Sequence, residues 1–534
     1  MGYKLIGYGD IDSPIDTILK NRGIEEGLFE VDESSEEDYL NFDNIMVGVE
    51  LLISNLDYNK KILMIVDSDM DGHSSFALIY NYIKEIYPNA NIEYVLHKGK
   101  EHGLDDIEVE DDVSLVIVAD AGTTDFVQHK ELKDRNIDVL VLDHHKADTY
   151  SEHAIVINNQ LSKNIKNKNL SGVGVCYKFI RAMDDYLGEE LAYKYMDLNC
   201  LGNVADVMNL HEKETRYYVY EGLKKTNNLF IKALKEMKAY DLDGKFNISK
   251  LGWTIAPIVN GTIRSGTIKE KTDMVKAFIS DDYAFCLKVA NACKNAKARQ
   301  DGAVKRAMTK LLDEIELNEN KCLLLHSGTL SSSHRGLVAG KLADKYGVPV
   351  LIYTERKDGT LGGSFRGVDN ISLNLYEDIS KSGIAEVLGG HDQAGGWSCP
   401  KDKLDDLQKY FNKLYEDKEI STNKEFEVDF IVDQEELEQW MVDELASLED
   451  ECGNGIDRPL LAIQNVELEI TATNIKATNI IFTVNGIKYI KKYATKILKE
   501  SLLDNYIQCD IIGSCSINSY DGVGQIEVED IIIY

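Results

Sequence analysis

From Lys61 to about residue 210 the chain alternates unbroken apolar runs with amphipathic stretches: KILMIV, SSFALIYNYIKEIY, IEYVL, VSLVIVAD and IDVLVLDHH. A strand solvated on one face would alternate polar and apolar positions. Continuous Val, Ile and Leu runs separated by helical segments instead predict a parallel sheet covered on both faces. In such sheets functional groups collect where strands end and loops begin. From about Tyr283 to Leu317 there is one glycine, Gly302, and no proline, which predicts a long helix bridging two globular parts. KCLLLHS, GLVAGKLADKYG and VPVLIYTE then restore the alternation as a second α/β domain. Between Pro459 and Tyr534 the segments LLAIQNVELEI, IIFTVNG and IEVEDIIIY predict a small barrel or sheet.

At roughly 150 residues per domain, 534 residues correspond to three or four domains, and 44% hydrophobic content lets each bury a core. The formal charge of −32 argues against a basic nucleic-acid coat protein, so any nucleic-acid contact must use a local basic groove or bound cations. No basic residue occurs between Arg22 and Lys60 or between Lys424 and Arg458. Both acidic stretches are expected as solvated helix faces. Basic residues gather at Lys163, Lys166 and Lys168, at Lys288, Lys294, Lys297 and Arg299, at Lys305 and Arg306, and from Lys488 to Lys499, as candidates to line a positive cleft. No apolar run approaches the roughly 18 residues of a membrane helix, and the N-terminus fits neither a secretory leader nor a myristoylation site, Ile6 standing where Ser or Thr is required. The expectation is a soluble, cytoplasmic protein. Nine cysteines without a CxxC pair suit buried reduced thiols.

Three apolar runs end in acidic or histidine residues: Asp67, Asp69 and Asp71 in IVDSDMDG, Asp120 in IVADAG, and Asp143, His144 and His145 in VLDHH. Asp206 in LGNVADVMNL is a fourth candidate. Parallel neighbours bring their C-terminal ends together, and several carboxylates cannot share a small volume without a cation. Mixed Asp and His ligands suit Mn²⁺ or Mg²⁺, and one carboxylate can bridge two ions about 3.5 to 4 Å apart. D-x-D-x-D-G also opens a calcium-binding EF-hand loop, but the twelfth position is Leu78 rather than Glu and the motif follows a strand. A single Asp after a strand is more often a helix N-cap; agreement of four strand ends outweighs that reading. SGVGVCYKF and GLVAGKL lack phosphate-loop spacing, so no nucleotide-triphosphate site is expected.

The series DSDMDG, ADAG, DHH, SGVG and LGNVADV resembles the ordered motifs of the DHH phosphoesterase superfamily. IAPIVNGTIRSG, SSSHRGLVAGKLADKYGVPVLI, GGSFRG, LGGHDQAGG and NSYDGVGQIEVEDI resemble its RecJ single-strand exonuclease branch, so the likeness runs from about residue 45 to the end. It implies an α/β fold with a parallel-sheet DHH domain over 1–215 carrying an acidic N-terminal extension, and a helical connector over 216–317. A smaller DHH-associated substrate-binding domain over 318–415 and an OB-like β-barrel over 416–534 complete it. Carried over by position, Asp67, Asp69, Asp120, His144 and Asp206 resemble the metal ligands, with Asp120 as the bridge. Asp143 resembles the group that orients the histidine pair, and His145 the one that faces the scissile phosphate. Ser364, Arg366, Gly390 and His391, with His334 and Arg264, resemble groups that bind the terminal phosphate and nucleotide from the other lobe. Ser68 stands where this branch usually has Tyr, Val66 where Gly is common, and Leu63 where the pyrophosphatase branch has His.

The implied activity is exonuclease digestion of single-stranded DNA, from the 5′ end, to mononucleotides, using two ions of Mn²⁺ or Mg²⁺, in recombination, repair or replication. The implied partners are single-stranded DNA and a helicase or single-strand-binding protein, with no membrane and a monomeric protein. Two other readings stand beside it. One is a DHH phosphodiesterase for short oligoribonucleotides or cyclic dinucleotides; the other is a non-catalytic replication scaffold, against which the intact ligand series argues.

Overall fold

The computed structural model describes residues 2–534 apart from 26, 98, 100, 243, 313–319, 329, 357, 369–373, 417–424, 477–478, 493, 495 and 504–505. The chain divides into two compact units. One comprises Asn295–Phe426 with the first two residues; the other combines Tyr3–Lys294 with Glu427–Tyr534. The C-terminal β segment therefore belongs with the N-terminal α/β segment, a grouping that linear reading of the chain does not reveal.

In the larger unit the apolar runs become β1 (Ile62–Val66), β2 (Ile92–Leu96), β3 (Leu115–Ala119), β4 (Asp138–Asp143) and β5 (Ile155–Asn158). They pair in the order β2-β1-β3-β4-β5, all parallel. Every residue of β1 and β3 is buried, because helices cover one sheet face and loop and helix residues the other. On one side Met64, Ile117 and Leu140 pack with α1 (Met70–Ile86), α2 (Gly172–Leu187) and α3 (Met196–Ala205). On the other, Ile65, Val116, Val118 and Val139 pack with Leu104, Val113 and Leu132. Ile65 sits opposite Val118, and Ala119 opposite Leu142, so β1, β3 and β4 end on one edge.

The C-terminal β-rich stretch forms a seven-stranded mixed sheet. Its order is Phe430–Asp433, Leu460–Glu469, Tyr506–Ile517, Gly524–Ile533, Ile487–Lys491, Asn479–Val484, Ile475–Lys476. Among the described residues that order runs linearly from edge to edge. The helix Gln439–Ser447 lays Met441, Val442 and Leu445 into its core. Arg22 clamps the sheet to the α/β part through both oxygens of Asp429, at 2.8 and 2.7 Å. Fully buried Arg216 pairs with Glu451 and stacks on Phe29 and Tyr220.

The acidic stretches are more than solvated faces. Glu37 accepts from the backbone of Lys166 and Asn167 at 3.1 and 2.7 Å, and its own N–H donates to Glu214 at 2.8 Å. Buried Lys178 pairs with Glu214 and donates to the Glu37 carbonyl. In the second stretch Glu449 meets Lys245 at 3.4 Å and Glu451 holds Arg216. The carboxylates find cations distant in sequence, which charge counting within a stretch cannot detect.

The smaller unit has a five-stranded sheet in the order Val387–His391, Ala394–Pro400, Thr360–Arg366, Val350–Glu355, Leu323–His326, with only the last pair parallel. The helices Ser332–Tyr346 and Leu404–Leu414 contribute Val338, Leu342, Leu407 and Phe411 to its core. The expected long helix spans Tyr283–Leu312, and the unit boundary falls within it. Its expected last residues, to 317, lie outside the described residues. All nine cysteines are free and buried, and among the described residues no helix is long and apolar enough to cross a membrane.

Candidate metal centre

Asp67 follows β1, Asp120 follows β3, Asp143 ends β4, and Asp206 caps the C-terminus of α3. Their side chains meet in overlapping clusters of ligand atoms that lie within 4.8 Å of one another: Asp67, Asp69 and Asp120; Asp71, His144 and Asp206; and Asp120 with Asp143, His144 and His145. Asp120 belongs to two clusters, the position a bridging carboxylate needs. All five residues expected as ligands are thus brought together. His144 Nε2 lies 3.2 Å from Asp120 Oδ1 and 3.5 Å from Asp206 Oδ2. Such distances are close to those between adjacent ligands on an ion with ~2.1 Å bonds.

Local chemistry explains each placement. Asp69 is the N-cap of α1 and accepts from Gly72 N at 3.0 Å. Asp67 accepts from His102 Nδ1 at 2.7 Å and Gly103 N at 3.1 Å. Asp143 accepts from Thr123 N and Oγ1 at 3.0 and 2.6 Å, and from His145 Nδ1 at 2.8 Å. Asn158 at the end of β5 donates to Thr123 Oγ1 and the His145 carbonyl, both at 2.9 Å. Asp120 carries a left-handed φ of 69°, and Val207, beside Asp206, one of 57°. That conformation is strained for a β-branched residue, and it flanks the site on the strand side and the helix side alike.

Asp71, legible in D-x-D-x-D but not assigned as a ligand, faces the start of α2. It accepts from Gly172 N at 2.6 Å, Val173 N at 3.1 Å and Ser171 Oγ at 3.1 Å. The SGVG element is thus a cradle for a carboxylate rather than for a phosphate. A Cβ on Gly172 would stand 2.3 Å from Asp120 Oδ1, and one on Gly202 2.1 Å from Asp71 Oδ1. Glycine is required there because the carboxylates occupy the space of a side chain. His102, Thr123 and Asn158 also escaped sequence reasoning, since nothing in a lone His, Thr or Asn marks a hydrogen-bond partner elsewhere in the chain.

The electrostatics demand a cation. Burial, then the charges of Asp71, Asp69 and Asp67, push Asp120 well above the carboxylate range. Asp206 is pushed up to about 8 by burial, Asp71 and Asp69, and Asp71 to about 6 by burial and Asp69. Asp120 Oδ1 is buried without a hydrogen-bond partner. This oxygen-rich set with one imidazole therefore fits a divalent ion. The two histidines differ sharply. Burial and the neighbouring His145 lower His144 to about 4, and its ring also hydrogen-bonds the Leu170 backbone, so it is neutral at pH 7, the form in which an imidazole can take a metal. The hydrogen bond from His145 to Asp143 raises His145 to about 9, so it is cationic at neutral pH. Asp143 is held far below the usual range despite its burial, by His145 and Thr123.

The remaining candidates fall into two places. Ser364 and Arg366 on Thr360–Arg366 sit opposite Gly396 and Ala394, and Gly390 and His391 sit opposite Gly395 and Ala394, so one sheet of the smaller unit gathers all four. His334 lies in the first turn of Ser332–Tyr346, a helix so close to Arg366 that a Cβ on Gly336 would meet its Nη2 at 2.7 Å. Arg264 departs from the expectation of the other lobe. It lies in the unit of the metal centre, in the last turn of Ala256–Ser265, a helix that packs on α1.

The model of the DHH family, N-terminal domain, matches residues 61–203, from the start of β1 nearly to the end of α3. A Bacillus subtilis (strain 168) protein, named as the SPbeta prophage-derived single-strand DNA-specific exonuclease YorK, is 34% identical over 565 aligned positions, covering 99% of this chain and 98% of its own. The chain belongs to the DHH family, among its RecJ-like members. The single-stranded-DNA-specific exonuclease RecJ of Bacillus subtilis (strain 168) is 26% identical over 70% of this chain and 47% of its own length. Mn²⁺-bound RecJ of Thermus thermophilus shares the fold, with a TM-score of 0.76 at 20% identity over 97% of this chain and 75% of that one.

Proposed function

We propose that this DHH-family protein is a metal-dependent exonuclease that hydrolyses single-stranded DNA, from the 5′ end, to mononucleotides. The observation that carries the reading is Asp120, one buried carboxylate shared by two clusters of candidate ligands at the end of a parallel sheet. Asp67, Asp69 and Asp120 would hold one ion and Asp120, His144 and Asp206 the other, with Asp71 positioning the pair. Two ions of Mn²⁺ or Mg²⁺ would activate water and neutralise charge growing on phosphorus. His145, cationic and exposed, is poised to pair with a phosphate oxygen, and Asp143 holds that ring. Arg366, Ser364, His334, Gly390 and His391 would receive the terminal nucleotide in a substrate-binding domain over 318–415. That is the third segment of the four-part division proposed from the motifs (1–215, 216–317, 318–415, 416–534).

The relatives' names, single-strand DNA-specific exonucleases, support the substrate. We place the protein in the cytoplasm as a monomer in recombination, repair or replication, receiving strands opened by a helicase or covered by a single-strand-binding protein. The test is digestion of end-labelled single-stranded DNA, duplex DNA and a dinucleotide in Mn²⁺ and Mg²⁺. The expected result is mononucleotides released from long single strands, with loss of turnover in Asp120→Asn despite an unaltered circular dichroism spectrum. Preference for the dinucleotide would overturn the substrate, and an active Asp120→Asn the site.

A further inference from the structure

One π-helical turn, Leu251–Ile255, precedes the helix Ala256–Ser265, and such turns, rare elsewhere, are frequent at functional sites. Leu251, Ile255, Ala256, Ile258, Val259, Thr262 and Ile263 are all buried. Trp253, Pro257, Asn260 and Arg264, spaced to share one face, are the positions in register that are not. Trp253 is 83% exposed, an unusual setting for the largest apolar side chain. Asn260 Oδ1 is shielded from solvent yet has no hydrogen-bond partner, and Arg264 forms no ion pair among the described residues. The segment that carries the stripe packs beside elements of the metal centre: a Cβ on Gly252 would touch Val204 at 3.6 Å, two residues before Asp206, and the helix packs on α1, whose N-cap is Asp69.

We infer that this stripe is the track along which a single strand reaches the metals, with Trp253 stacking on a nucleobase. The inference rests on the nuclease reading and extends it to a residue with no counterpart among the candidates above. An aromatic face, an amide and a guanidinium in one row supply stacking, a base-edge hydrogen bond and a phosphate grip. The eleven rises from Trp253 to Arg264 span about 16 Å, room for several stacked nucleotides at ~3.4 Å each. Stacking tolerates any base, as digestion without sequence preference requires.

Trp253→Ala and Trp253→Phe are compared with the unsubstituted protein on a 20-nucleotide single strand in Mn²⁺. Trp253→Ala is expected to raise KM about tenfold with a much smaller change in kcat, and Trp253→Phe to recover most of the loss. An unaltered KM, or a loss confined to kcat, overturns the inference. A second measurement separates it from the activity itself. In EDTA, titrating the same strand should quench tryptophan fluorescence, and Trp253→Phe should remove most of the quench, because Trp397 is buried and Trp440 is carried by another helix, Gln439–Ser447, and is less exposed than Trp253. Quenching that survives in Trp253→Phe rejects the stacking role. If the unsubstituted protein digests nothing yet shows Trp253-dependent quenching, the nuclease reading fails and the binding track stands.

Discussion

Burial and neighbouring carboxylates raise Asp120 and Asp206 alike, Asp206 to about 8, so protons compete with a cation for this cluster. A metal must displace those protons, so affinity rises with pH until the groups ionise unaided. Mn²⁺ binding at pH 7 is expected to release protons, read by calorimetry in buffers of different ionisation enthalpy, and the Kd should fall from pH 6 to 8. A pH-independent Kd would contradict the site's electrostatics. His145 carries the opposite sign. Its pKa of about 9 lies above the ordinary value of 6.5, so the cation persists through neutrality and is lost as pH rises through about 9. The kcat/KM profile should show an alkaline limb near that pH. Asp143→Asn removes the hydrogen-bonded anion, so the limb should move down by one to two units and turnover fall by roughly a hundredfold or more.

At the scale of elements, α2 is aimed so that its first turn closes over Asp71 while Gly172 makes room for Asp120. In Gly172→Ala the new methyl would stand 2.7 Å from the Cα of Asp120 as well as against its carboxylate, and backbone cannot swing aside as a long side chain can. Mn²⁺ affinity should drop at least tenfold, measured by titration, with the circular dichroism spectrum retained. Lys178, in the middle of the same helix, instead serves the fold, tying the acidic N-terminal stretch to Glu214 in the helix Lys213–Lys224. Lys178→Met leaves that carboxylate buried without its cation, a loss of about 3–5 kcal/mol expected in urea denaturation. A loss under 1 kcal/mol would mean the strap contributes little.

For the whole molecule, a net charge of −32 repels a polyanion at long range, leaving grip to contacts at the site. Some expected groove cations are already engaged: Lys168 donates to the Ser162 carbonyl at 2.8 Å, and Lys297 pairs with Asp301 one turn along its helix. Few phosphates should therefore be neutralised. Plotting log KM for single strands against log[KCl] should give a slope of magnitude about 1.5 to 3, as for two to four phosphates at ~0.7 each. A slope beyond about 5 would reveal a long basic track. The same charge has an internal role, since Asp429, Glu214 and Glu451 hold cations far away in sequence and join the C-terminal sheet and the acidic stretch to the α/β core.

The parallel sheet, the strand-end carboxylates and the long helix were legible in the sequence because each depends on local rules, whereas the choice of five ligand candidates came from the resemblance of the motifs, Asp206 among them although it caps a helix rather than a strand. Unbroken apolar runs require burial on both faces, and parallel strands must end together. Asp120 as the bridge came instead from the resemblance of the motifs, and the structure sets its carboxylate in two of the three clusters. The partners of those residues were not legible: His102 on Asp67, Thr123 on Asp143, and the α2 cradle around Asp71 join positions 20 to 102 residues apart. Nor could the sequence show that Arg264 lies in the same compact unit as the carboxylate cluster or that the terminal sheet rejoins the first segment. Hydrogen bonds and ion pairs between distant segments leave no period in the chain, and packing alone decides which groups meet and which carboxylates keep their protons.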